Sequence, residues 1–416
     1  MAREVIETPV MAYWAFSFSG GEAEFTTMAT PPSHVPCFMS EVSDQMQFHE
    51  RMWNTALKFS FQRLFILVQQ FVVDHVILQY FPNCPSASFL IADLNGAMIN
   101  TNFVLDYPRL QPTTFINVGG MQISEKPKVL PEDIKTFMED ENASTHRVIL
   151  FTMGFIFNPK AVPESRIKAI FEAFAQLPQK VIMKFDPLPP ESNLKVPTNV
   201  LLKSFLPQQD ILAHKNTILF ITHCGMHGVM ESIYHEVPMV GMPVAFDQGD
   251  VLTRIEEKGI GIGISKWASS DIIVNAVKTV LNDTRYNFKF TYYLSIERTR
   301  KSISKKNHLI LISYFCDKVL THISSLCRFM KNIKELSQLM KIGMKEDPMN
   351  HAIWWLEYLS ATKGANHLKL SSRHLNFIQY FSLDFIFIIL IFFYFISKFL
   401  IRQCCSGSKK SKFKTE

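Results

Sequence analysis

Nowhere among the seven cysteines do two fall in CxxC spacing, and their number is odd. That argues against a disulfide-stapled scaffold and against a zinc ribbon, whose ligands recur at such spacing. Charge is also scarce. Asp, Glu, Lys and Arg make up 19% of 416 residues, and 43 basic against 37 acidic side chains leave a net +6. The excess is thin except at the C-terminus, so no nucleic-acid partner is implied. Nor does the chain open on a leader: Met1 to Pro9 is charged and too polar for the apolar stretch of a secretory signal. Apolar residues, by contrast, make up 47%. That excludes a disordered chain and, at this length, predicts two or three domains with a sizeable core.

The two ends differ. Val10 to Phe18 is rich in aromatics and runs into Gly20-Gly21, which predicts a buried strand entering a turn. Near the other end every residue from Phe385 to Ile396 is apolar or aromatic. The stretch 381–401 is long enough for one bilayer crossing. Asp384 would stand at one interface and Lys398 could snorkel to the other. Beyond it, Arg402, Lys409, Lys410, Lys412 and Lys414 face only Glu416. The positive-inside tendency then puts the tail, 402–416, in the cytosol and the body in a lumen or outside the cell. A buried core helix is the alternative. Lys412 and Lys414 are spaced like a dilysine retrieval signal of the endoplasmic reticulum, or they form a lipid-facing basic patch. Cys404 and Cys405 are candidate palmitoylation sites. A lumenal body needs a targeting signal, and none stands at the start.

Between about 146 and 280, strand and helix patterns alternate. Apolar runs at Arg147–Phe151, Lys180–Phe185, Val200–Leu202, Ile218–Thr222, Met239–Pro243 and Gly261–Ile264 read as strands. Ile167, Ile170, Phe171, Phe174 and Leu177 recur at helical spacing. This order predicts a parallel, doubly wound sheet, whose ligands bind beyond the carboxyl ends of the strands. After the Ile218–Thr222 strand comes Thr222-His223-Cys224-Gly225-Met226-His227-Gly228-Val229-Met230-Glu231. A strand feeding a glycine turn and then a helix offers unpaired N–H groups and a helix dipole to an anion. A structural strand–helix turn is the alternative. Upstream stands Phe205-Leu206-Pro207-Gln208; downstream, Pro238 to Pro243 and Asp247-Gln248.

The stretch from Phe205 to Asp250 resembles the signature of the UDP-glycosyltransferases, in particular the membrane-anchored animal branch containing the glucuronosyltransferases. Pro32-Ser33-His34-Val35-Pro36, the segment Ser43 to Arg51, Phe115 to Gly120, Asp347 to Leu368 and Gln379 to Asp384 are similar to other parts of the same family. The resemblance implies a GT-B fold: two Rossmann-like α/β domains, the N-terminal one incomplete, plus a C-terminal transmembrane helix. On it, residues 1–118 are a remnant of the acceptor-binding domain, 119–145 the interdomain linker, and 146–370 the UDP-sugar-binding domain.

The same resemblance implies residue roles. Phe205 would stack on uracil, and Gln208 would bond the base or ribose. His223 and the N–H groups of Met226, His227 and Gly228, with Gly225 in the turn, would hold the diphosphate. Glu231 would bind ribose hydroxyls; Asp247 and Gln248 would bind the transferred sugar. His214 matches the family pattern and reads as structural. The implied reaction is an inverting transfer of a glucuronosyl or glucosyl group from a UDP-sugar to small lipophilic acceptors, with UDP-sugar as co-substrate and neither cofactor nor metal. The implied setting is the endoplasmic-reticulum membrane, single-pass, with homo- or hetero-oligomers of related transferases as possible partners.

Several features depart from the family. Its catalytic His, which deprotonates the acceptor, and the Asp orienting it match nothing here and would lie upstream of Met1, as would the signal peptide. No catalytic base is assigned, and His34, His49 and His75 do not match that position. Activity of the chain as it stands is therefore expected to be impaired; the alternative is a non-catalytic, membrane-anchored binding or regulatory partner of full-length transferases. Residues 287–328 have no family counterpart and read as translated non-coding sequence or a disordered loop. Phe155, His227 and Glu236 replace a small hydroxyl residue, an Asn and a Gly, and Phe155 could narrow the pocket. Asn142-Ala143-Ser144 and Asn282-Asp283-Thr284 are glycosylation sequons if the body is lumenal.

Overall fold

The computed structural model describes residues 8–15, 30–154, 162–186, 188, 193–281, 328–370, 375, 377–380 and 382–410. Phe155, Asn282, Gly20-Gly21 and residues 287–327 lie outside them. The chain forms two compact units, Met1–Asn366 and His367–Glu416.

Among the described residues, the first unit holds nine strands in two parallel sheets. β1 (Met11–Trp14), β2 (Gly96–Ile99) and β3 (Phe115–Asn117) lie in that order. The larger sheet contains β4 (Val148–Thr152), β5 (Lys180–Lys184), β6 (Val200–Lys203), β7 (Thr217–Thr222), β8 (Met239–Gly241) and β9 (Gly261–Gly263). Its order is β6-β5-β4-β7-β8-β9. The winding therefore reverses between β4 and β7, which is where a doubly wound sheet opens a crevice. Every strand predicted between 146 and 280 is present, because strands buried on both faces read as nearly unbroken apolar runs.

Helices make the crossovers that parallel strands require. They are α1 (Phe48–Val68), which a π-helical turn at Gln69–Val73 joins to α2 (Asp74–Tyr80), then α3 (Ala87–Ala92), α4 (Glu132–Glu139) and α5 (Glu141–His146). Next come α6 (Glu164–Ala175), α7 (Gln208–Ala213), α8 (Met226–Tyr234), α9 (Gln248–Glu257), α10 (Ser270–Val280), α11 (Arg328–Gly343) and α12 (Pro348–Ala361).

Alternation along the strands splits the large core in two. Leu150, Ile182, Phe220 and Met239 face α4, α7, α8, α9 and α11 through Ile134, Ile211, Val229, Ile255 and Ile333. Ile149, Phe151, Val181, Leu219 and Val240 face α6 and α10 through Ile170, Phe174, Ile273 and Val277. Phe151 and Phe174 meet edge-to-face with centroids 5.5 Å apart. The stretch expected as linker, 119–145, contains α4 and α5. Its Ile134, Met138 and Ala143 are buried in the first of these cores. Asp140 caps α5 by accepting the Ala143 N–H at 2.7 Å and pairs with the buried Lys180 of β5.

α11 and α12 then lead back toward the small sheet. Ser337 donates to the Tyr234 carbonyl at 2.8 Å, and Gly343 leaves room for the ring of Phe103. One buried side chain closes the circuit. Asn95 accepts the Val10 N–H at 3.0 Å, just before β1, and donates to the Gly364 carbonyl at 2.6 Å. Gly364 has φ +98°, and a Cβ there would strike the Asn95 amide.

In the second unit, α13 (Phe377–Tyr380) precedes α14 (Leu383–Lys410). The 20 residues Leu383–Arg402 have a mean hydropathy of 2.3, long and apolar enough to cross a membrane. The helix continues past 401, the expected end of the membrane segment, into the basic tail expected at 402–416, as far as Lys410.

Replacing Asn95 with Ala orphans a backbone donor and a backbone acceptor at once. Thermal unfolding of the full chain in detergent should show a loss of about 2 kcal/mol. An unchanged melting temperature would mean the bridge contributes nothing.

Candidate functional site

At the reversal point β4 and β7 run parallel, with Thr152 opposite Thr222. Both strands end in the same way. Thr152 accepts the Gly154 N–H on its hydroxyl at 3.1 Å, and Thr222 accepts the Cys224 N–H at 3.2 Å. Such side-chain turns let a strand break off sharply. Cys224 takes φ +68°, uncommon for a non-glycine residue, and its thiol is buried.

The two turns grip one imidazole. A Cβ on Gly154 would come within 2.6 Å of His223 Cε1, and one on Gly225 would collide with His223 Nε2. Gly154 also has φ +82°, so glycine is required there twice over. His223 Nδ1 is buried and has no hydrogen-bond partner among the described residues. Burial, with Lys184 adding, pushes His223 down to about 4, against the opposing pull of the Thr152 backbone. The ring is therefore neutral at pH 7. Lys184 donates from β5 to the Gly154 carbonyl at 2.9 Å and so pins the first turn.

Gly225 precedes α8, and no side chain caps this nine-residue helix. The N–H groups of Met226, His227 and Gly228 are left over by the helix's own bonding pattern. They open on a cleft of about 550 Å³ that is also lined by Phe205, Gln208, His223, Asp247 and Gln248. Phe205 is 81% exposed at its mouth. Gln248 is turned partly inward: its side-chain oxygen accepts from Val244 N at 2.7 Å and Ala245 N at 3.1 Å. Asp247 is buried.

Glu231 is not among the cleft-lining residues. It lies behind Gln208, accepting from Gln208 Nε2 at 2.7 Å, and burial raises its carboxyl above the usual range. Gly228 permits this arrangement, since a Cβ would press on Gln208 Nε2 at 3.1 Å. The His227 ring points away from the large sheet, toward Tyr13 Oη at 3.4 Å and Asn100 Nδ2 at 3.3 Å. Burial lowers its pKa. His214 stands apart, with Asn216 N at 3.2 Å and Glu139 at 3.4 Å. His34 and His75 likewise bond only locally, to Ser33 and Gln79 among the described residues.

Sequence reasoning did not single out Thr152, Lys184, Tyr13 or Asn100. The first two were within reach, because both end strands at a carboxyl end where ligands gather. Tyr13 and Asn100 come from the small sheet, and no spacing in the sequence links them to His227.

The model of the family described as "UDP-glucoronosyl and UDP-glucosyl transferase" matches residues 2–300 and 317–415, so of the segment 287–328, expected to lack a family counterpart, only 301–316 is unmatched. The chain belongs to this family. UDP-glucosyltransferase 2 of Dactylopius coccus is 28% identical over 92% of this chain and 66% of that protein. UDP-glucuronosyltransferase 2B16 of Oryctolagus cuniculus is 32% identical over 88% and 59%, and 2B10 of Homo sapiens is 30% identical over 94% and 65%. The chain thus spans 59–66% of the length of these three relatives. Among solved structures, Os79 from O. sativa in complex with U2F and trichothecene aligns with a TM-score of 0.50 at 13% identity, covering 85% of this chain and 74% of that one. That likeness supports the two-sheet GT-B architecture of the UDP-glycosyltransferase family.

The half-buried neutral histidine sets a pH dependence. An unfolded His223 titrates near 6.5 and the folded one near 4, so stability is fully present above 6.5 and is lost as pH falls through 4. The full loss is on the order of 3 kcal/mol. His235, also pushed down to about 4 by burial, acts in the same direction. Denaturation midpoints between pH 7 and 4 should fall less steeply in His223→Gln than in the unmodified chain; equal slopes would refute a His223 held neutral.

Proposed function

We propose that the cleft is a UDP-sugar site and that the protein transfers a hexosyl group, glucuronosyl or glucosyl, to small lipophilic acceptors with inversion. One observation carries this reading: a neutral imidazole held between two glycines beside an uncapped helix N-terminus, at the point where the winding of a parallel sheet reverses. Partial positive charge is thereby concentrated without a buried cation. It suits a diphosphate, and membership of the family supplies the uridine and the sugar.

In this reading Phe205 offers its open face to the uracil, and Gln208 bonds the base or ribose with Glu231 behind it. His223 and the N–H groups of Met226, His227 and Gly228 hold the diphosphate. Asp247 and Gln248 hold the transferred sugar. An acceptor oxygen attacks the anomeric carbon as the bond from that carbon to the phosphate oxygen breaks, and the electron pair leaves with UDP. The charge that develops on the phosphate falls on donors already in place, which is where preorganised dipoles lower a barrier. No residue of the cleft is assigned as the base that takes the acceptor's proton.

The apolar length of Leu383–Arg402 supports a single membrane crossing. The basic residues after it favour a cytosolic tail and a lumenal body, in the endoplasmic reticulum.

Calorimetric titration of the full chain in nanodiscs with UDP tests the reading. Binding is expected in the unmodified protein. Phe205→Ala should weaken it roughly tenfold, the scale of one lost base–aromatic stack, and His223→Ala by at least as much. Absence of UDP binding in the unmodified chain would sink the proposal. Binding without turnover of any acceptor would favour a non-catalytic partner instead.

A further inference from the structure

The first turn of α9 brings Gln248 to the cleft, yet its next residues face the opposite way and are held by a segment far upstream. Asp250 is 4% exposed. It accepts the Met39 N–H on Oδ2 and the Glu41 N–H on Oδ1, both at 2.8 Å. Met39 and Glu41 have φ of 63° and 53°. Two non-glycine residues in the left-handed region, two positions apart, are strained, at about 1–3 kcal/mol each. They turn both N–H groups onto one carboxylate. Thr253, one turn along, donates to the Glu41 carbonyl at 3.3 Å, and Gly249 leaves room for the Glu41 side chain.

The segment is equally fixed at its other end. The fully buried Asn54 of α1 donates to the carbonyls of Pro32 at 2.8 Å and Val35 at 2.9 Å, and accepts the Cys37 N–H at 2.6 Å. A second contact lies further down α9. Arg254, 1% exposed, sets Nε 3.6 Å from Asp106 Oδ1 and its guanidinium over the Tyr107 ring, while the Tyr107 hydroxyl donates to Glu257 at 2.7 Å. Two stretches from the small-sheet half thus grip one face of α9.

We propose that Asp250 and Arg254 are positioning residues for the sugar end of the cleft. This rests on the UDP-sugar reading above. The link to the cleft is covalent and short: Asp250 is two residues from Gln248 and three from Asp247. Gln248 in turn ties Val244 and Ala245 to the start of the helix. Any tilt of that first turn therefore displaces the part of the wall facing the sugar, whereas Phe205, Gln208 and His223 hang from other elements. Burial pushes the Asp250 carboxyl up to about 6, against the two backbone donors and Arg254, with Asp247 adding to the rise. Keeping a carboxyl in that position is costly, which fits a contact retained for geometry.

The experiment compares affinities for UDP and for UDP-glucose and UDP-glucuronic acid, in the unmodified full chain and in Asp250→Asn. The variant keeps the shape but sets an NH₂ group against a backbone donor. Affinity for a UDP-sugar should fall about tenfold, within the range of intramolecular coupling, while affinity for UDP stays within about twofold. Where Asp250→Asn does not fold, Asn54→Ala loosens the same segment from its remote end and should give the same split. Equal weakening of UDP and UDP-sugar, or unchanged UDP-sugar affinity, would overturn the inference. An unmodified chain that binds no UDP would instead sink the donor-site reading, and this inference with it.

Discussion

The site depends on one constraint, the parallel adjacency of β4 and β7. They are strangers in sequence, yet with Thr152 opposite Thr222 their ends must pass within van der Waals reach. Only glycine at 154 and 225 lets an imidazole fit between the two turns. From that fit follow the partial burial of His223, its neutral state, and the exposed start of α8 beside it. The rest of the large domain serves this point: two apolar layers keep the strands in register, and Lys184 ties the β5 neighbour to the Gly154 carbonyl.

The electrostatics of the cleft come from dipoles more than from formal charge. Net +6 over the chain says little about the site, since Lys184 is engaged with a carbonyl and both nearby histidines are held below their ordinary pKa. An anion would meet oriented N–H groups that need no reorganisation on its arrival. A diphosphate would also reverse the force on His223. Burial disfavours the imidazolium, but an adjacent negative charge favours it, so the pKa rises on binding.

Much of this was legible in the sequence, for a physical reason. Strands buried on both faces must be apolar nearly throughout, so each strand between 146 and 280 announced itself, and α6 showed its spacing through Ile167, Ile170 and Phe174. What stayed hidden depends on partners distant in the chain. α4 is short and largely polar, and only the burial of Ile134 and Met138 shows that the expected linker packs against the large sheet. Asp250 and Arg254 share a helix face by their spacing, but which face is buried was not written in α9. It is decided by Met39, Glu41 and Asp106, more than a hundred residues upstream. The roles of Phe205, Asp247 and Gln248 came from family resemblance; composition and periodicity would have left them as loop residues.

Glu231 shows how the structure refines such a role. A carboxylate bound for ribose hydroxyls would be expected to face the ligand, but Glu231 sits behind Gln208, half-buried and with a raised pKa. Its Oε2 already accepts from the Gln208 amide nitrogen, which fixes the amide's orientation and leaves the Gln208 oxygen free to accept elsewhere. A ribose hydroxyl that approached Glu231 directly would compete with this bond. One that donated to the Gln208 oxygen would be reinforced by it, since hydrogen bonds in a chain polarise one another. On the donor-site reading proposed above, Gln208 would be the direct ribose contact, with Glu231 acting through it.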